Sequence, residues 1–128
     1  MKEMKDFLAK YEAMLPVGGS LSMPEAERRA GEFLSAQATI ANWRHILSDD
    51  KVRLMSVQTA VYAEQMVKGT SKTVTENKLL AEASEEYTKA REEYERMEND
   101  LSYLKTYSDI FMAAHVFYRN ICKSGEFG

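Results

Sequence analysis

From Ser84 to Lys123 the chain runs without a proline or a glycine. Two series at seven-residue steps lie inside that run. One is Tyr87, Tyr94, Leu101, Ser108, His115 and Cys122; the other is Ala90, Met97, Leu104, Phe111 and Tyr118. They are offset by three and then four residues, so both fall along one seam of an α-helix. A helix of about 38 residues would be roughly 57 Å long, more than a compact domain of this size covers. The seam suits a core helix of a monomeric bundle. It suits better a helix that also meets copies of itself or a partner, because it far outlasts the ~3 turns of an average helix.

The chain has 128 residues, 45% of them hydrophobic, enough for one domain with a modest core. Pro and Gly are scarce while Met, Ala, Glu and Lys are plentiful, which favours helix over sheet. A formal charge of −3 gives no overall attraction to nucleic acid, so such binding requires a local patch. The single Cys122 leaves no intramolecular disulfide and suits a reducing compartment. Met1 to Lys10 interleave charged and apolar residues, unlike a signal peptide. The longest apolar run, Ile110 to Tyr118, carries His115 and falls short of the ~20 residues that span a bilayer. The expectation is a soluble, intracellular, all-α protein: a small helical bundle with a long C-terminal coiled-coil-like helix.

The spacing predicts a single all-helical domain. Residues 1–15 place Met4, Phe7, Leu8, Tyr11, Met14 and Leu15 on one face of a first helix. A hinge over 16–22 contains Pro16, Gly18 and Gly19. Residues 23–68 read as a helical hairpin. Ser22 and Glu25 have capping-box spacing at its start, and Ser48, Asp49 and Asp50 divide it. Trp43 reads as a core anchor, and Gly69 as a left-handed helix cap. A basic linker follows over 69–75, then C-terminal helices over 76–123. Ser84 can recap the chain between them, or the helix can run straight through. The tail from Ser124 reads as loose.

Little catalytic chemistry is written here. The two histidines, His45 and His115, lie apart in the chain, and Cys122 sits a heptad beyond His115. No HExxH, CxxC, phosphate-cradling Gly-rich loop or Gly-x-Ser-x-Gly occurs, and the helix glutamates lack the Glu-x-x-His pattern of di-iron bundles. The expectation is a non-enzyme without a metal or cofactor.

Two surfaces remain. Lys51, Arg53, Lys68, Lys72 and Lys78 cluster in sequence against Asp49, Asp50, Glu64 and Glu76, with Arg44 and His45 just upstream. Such charge either follows a phosphate backbone or simply solubilises. The back half of the long helix is apolar on nearly all sides, and self-association is the simplest way to cover it. Leu101, Leu104, Phe111, Phe117, Tyr118 and Ile121 are its candidate contacts.

Lys78 to Ile121, reading KLLAEASEEYTKAREEYERMENDLSYLKTYSDIFMAAHVFYRNI, resembles the C-terminal region of the UvsY family of phage recombination mediators. Upstream, Ala41-Asn42-Trp43, a Lys/Arg-bearing helix from Lys51 and the turn Val67-Lys68-Gly69 follow a similar order. The resemblance spans most of the chain at the level of pattern. It implies a non-enzymatic homo-oligomer, cytoplasmic in a bacterial host cell, that binds single-stranded DNA. Such a protein helps load a recombinase onto strands coated by single-strand-binding protein. The DNA contacts it implies are Lys68 and, more loosely, Lys51, Arg53 and Lys72. A reading of another class is a small helical adaptor or inhibitor that binds a protein, for instance a phage anti-defence protein. Its active surface would be the acidic face of the long helix, with Glu92, Glu93 and Asp100.

Overall fold

The computed structural model describes residues 2–16, 21–69 and 73–127. Among them are four helices and no strand: α1 (Lys2–Glu12), α2 (Met23–Lys68), α3 (Val74–Ala83) and α4 (Glu85–Phe127). They divide into two compact units where the sequence suggested one domain. Unit 1 comprises Met1–Arg44 with Tyr103–Gly128, and unit 2 comprises His45–Ser102.

The helix ends are set by short polar side chains. Ser22 Oγ accepts from the Glu25 backbone N–H at 3.3 Å, opening α2, and Pro24 sits in the first turn where no N–H is needed. Thr73 Oγ1 accepts from Glu76 N–H at 3.2 Å and opens α3. Ser84 settles the choice left open in the sequence. Its backbone is extended (φ −66°, ψ 147°), and its hydroxyl both donates to the Ala81 carbonyl (2.8 Å) and accepts from Tyr87 N–H (3.2 Å). One residue therefore closes α3 and caps α4.

Three expectations need correcting. The hairpin over 23–68 is one continuous helix of 46 residues. The buried and half-buried positions Ile40, Arg44, Leu47, Lys51 and Leu54 step by four, three, four and three through the expected break. Packing along that stripe outweighs the poor helix propensity of Ser48, Asp49 and Asp50, a few tenths of a kcal/mol to about 0.7 per residue. Asp49 and Asp50 instead turn outward, toward His45 (3.6 Å) and Arg53 (3.9 Å). At the far end, α4 continues to Phe127 rather than loosening at Ser124. Gly69 is not a left-handed cap; a Cβ there would stand 2.5 Å from Asn77 Oδ1, so the glycine admits a close approach. Residues 17–20 of the expected hinge and 70–72 of the expected linker lie outside the described residues.

Unit 1 holds the six largest fully buried side chains: Leu8, Phe33, Ile40, Leu104, Phe111 and Tyr118. α1 lies on an antiparallel pair formed by the first part of α2 and the last part of α4. Its Phe7 ring meets Trp43 edge-on at 4.9 Å, and Tyr11 lies 6.0 Å from both Phe33 and Phe111. Phe33 in turn lies 5.3 Å from Phe111 and stacks on Tyr118 at 5.9 Å. The N-terminal helix thus packs on its own bundle, and Trp43 anchors it. Unit 2 has a thinner core of Leu54, Ala81 and Ala90. Its α2 and α4 segments also run antiparallel, joined by the Tyr62–Tyr87 ring pair at 5.5 Å and by Gln58 donating to the Tyr87 hydroxyl at 3.3 Å.

Candidate interaction surfaces

The basic candidates do not form a free cationic track. Lys51 Nζ lies 4.0 Å from Glu98 and 5.6 Å from the Tyr94 ring centre, with a third of its side chain exposed (34%). Arg53 faces Asp50, and Lys68 Nζ lies 2.8 Å from Glu64. That last hydrogen bond lowers the Glu64 pKa and raises that of Lys68, so each holds the other charged. Lys72 lies outside the described residues. Residues 45–102, which carry all four, contain twelve Asp and Glu against eight Lys and Arg, so this unit is the acidic one.

The self-association candidates separate into inward and outward residues. Leu104, Phe111 and Tyr118 are spent inside unit 1, at 0%, 0% and 2% exposure, and their faces are occupied by α1 and α2. Leu101 and Ile121 are half-buried; Phe117 stands out at 49%. The heptad seam is therefore mostly a seam of this chain with itself. On the opposite side of α4 a second series appears. Tyr103, Thr106, Ile110, Ala113 and Phe117 step by three, four, three and four residues, and all are exposed. Tyr103 is steadied by its ring contact with Tyr107 at 4.9 Å. The Tyr107 phenol is held protonated well above its usual range by hydrogen bonding with Tyr103, by burial and by Glu12.

A further exposed face was missed. On α2 in unit 2, Val52, Met55 and Val67 stand out among the small residues Ser56, Thr59, Ala60 and Ala63. From Leu54 to Val67 the only charge is Glu64. The signal was legible: that segment has apolar periodicity on two sides, and one helix side satisfies only one core.

The remaining polar groups serve the fold. His115 Nδ1 lies 2.7 Å from the Ala30 carbonyl, the contact of a core imidazole, and the Cys122 thiol faces the Met23 carbonyl at 3.9 Å. Arg28 and Arg29 both hydrogen-bond Glu25, pulling its pKa from 4.5 down to about 2. Among the described residues no group of three or more His, Cys, Asp and Glu could hold a metal ion, and no helix is long and apolar enough to cross a membrane. The depression bordered by Gln58, Thr59, Tyr62, Glu82 and Tyr87 is shallow and open to solvent. No family model, curated protein or solved structure matches the chain.

Proposed function

We propose that this chain is a non-enzymatic helical binding module of the adaptor or inhibitor type, which docks an amphipathic helix of a partner protein on the outer face of α4 in unit 1. The observation that carries this is the exposed series Tyr103, Ile110 and Phe117, one heptad apart at 40%, 38% and 49% exposure. Two large aromatics and an isoleucine at helical spacing supply the anchors that helix-on-helix recognition uses. Completing the burial of Ile110 and Phe117 contributes on the order of 1 kcal/mol each. This moves the docking surface away from Glu92, Glu93 and Asp100, of which Glu92 is exposed and the other two are half-buried.

The test is quantitative cross-linked capture from the native host with the wild-type chain and with Ile110→Asp plus Phe117→Asp. The module reading expects one protein enriched by the wild type and lost with the double variant, at unchanged helicity. Equal capture by both removes the surface.

The second reading is a single-stranded-DNA-binding recombination mediator that works with a recombinase and a single-strand-binding protein, as the UvsY resemblance implies. It draws support from Arg53 and Lys68, whose side chains are 67% and 63% exposed. Their partners lie one turn away on the same helix, and exposed pairs of that kind are weak enough for a phosphate to displace. The acidic balance of unit 2 stands against it, and the protein-binding reading is preferred.

A further inference from the structure

The outer face of α2 in unit 2 has a charge order that selects its own occupant. Val52, Ser56, Thr59, Ala63 and Met66 step by four, three, four and three residues, the spacing of a helix–helix seam. Val52, Met55 and Val67 on this face are 67%, 58% and 86% exposed, large apolar groups that no described residue of unit 2 covers. Between them the side chains are small, so a second helix axis can come close.

Charge is confined to one edge of the face. Asp50 and Arg53 lie toward its N-terminal end and Glu64 and Lys68 toward its C-terminal end. Within the chain they form two pairs, at 3.9 Å and 2.8 Å. In an antiparallel helix pair the same edge of each helix faces its counterpart. Turning a second copy end for end about Thr59 sets Arg53 opposite Glu64 and Asp50 opposite Lys68. Both matches centre within one residue of Thr59, and the same operation sets Val52 against Val67. A parallel copy in register would instead turn this charged edge toward the uncharged edge of its partner, leaving all four groups without a match across the contact. The pattern is complementary to itself in one orientation only.

We propose that two copies of this chain associate antiparallel through this face of α2, with a two-fold axis at Thr59. Each end of the contact then gathers an Asp50–Arg53 pair and a Glu64–Lys68 pair of alternating sign around the apolar centre. The contact is isologous and leaves the outer series of α4 to its own partner, so it stands or falls independently of the proposed docking surface.

Sedimentation equilibrium of the full chain, with Ala63→Glu as the disrupting variant, is the first test. Ala63 is exposed on the helix, so the variant keeps its helicity by circular dichroism. Dimerisation weakens by roughly tenfold or more, because each copy then sets an unpaired carboxylate into the apolar centre of the contact. Orientation is read by disulfide trapping in a Cys122→Ser background. Thr59→Cys cross-links with itself, Arg53→Cys cross-links with Glu64→Cys in a mixture, and Glu95→Cys, exposed on α4 outside this face, does not. A chain that stays monomeric at high micromolar concentration overturns the proposal. So does a dimer indifferent to Ala63→Glu, or Arg53→Cys linking to itself in preference to Glu64→Cys.

Discussion

The Tyr118 hydroxyl donates to the Met14 carbonyl at 2.7 Å, tying the end of the N-terminal segment to α4 across 104 positions of sequence. The same oxygen accepts from Arg29 Nη1 at 3.1 Å, so one phenol joins all three helical segments of unit 1. Tyr118→Phe keeps the buried ring but removes the donor to the Met14 carbonyl and leaves Arg29 with Glu25 alone. The loss expected is about 1–2 kcal/mol, measured by urea denaturation followed by circular dichroism.

Ile110 and Phe111 are neighbours in sequence with opposite roles. Phe111 is fully buried against Phe33 and Tyr11, so Phe111→Ala leaves a cavity and costs about 3–5 kcal/mol. Ile110→Asp sits on the outer face and changes stability by less than about 1 kcal/mol. Thermal melts of the two variants side by side check this.

Acid sensitivity should pass through Glu25. Its folded pKa, about 2 against an ordinary 4.5, lies below the unfolded value. The stabilisation is therefore fully present above about pH 4.5 and is lost as pH falls from there toward 2. Glu25→Gln should be less stable than the wild type at neutral pH, with the gap closing across that interval. A gap independent of pH would assign the effect to packing.

Ser84 carries the joint between α3 and α4. Ser84→Ala removes the bonds to Ala81 and Tyr87 and costs about 1 kcal/mol. It also frees the chain to continue as one helix. Amide exchange should quicken at Tyr87 and in α3 while unit 1 is unaffected.

The caps at Ser22 and Ser84 were legible because a hydroxyl three residues before a helical N–H acts locally, whatever the tertiary setting. The core was legible in part: Leu104, Phe111 and Tyr118 all stood on one heptad series. Which side of α4 faces inward was not, because Phe111 and Phe117 are both aromatic on a stretch apolar all round, and only α1 and α2 decide between them. Local chemistry also misled at Ser48–Asp50, where three cap-forming residues interrupt nothing once the stripe from Ile40 to Leu54 is packed. The basic cluster stood near Asp50 and Glu64 in sequence, but the pairing itself was not legible. Each described candidate has an acidic neighbour in space, Glu98 for Lys51, Asp50 for Arg53 and Glu64 for Lys68.

Protein binding and DNA binding part most sharply in fluorescence anisotropy of a labelled single-stranded oligonucleotide titrated with the full chain at low salt. The protein-binding account predicts no saturable rise at micromolar protein. Saturable binding that falls steeply with salt and is lost on Arg53→Ala with Lys68→Ala would contradict it and restore the mediator reading.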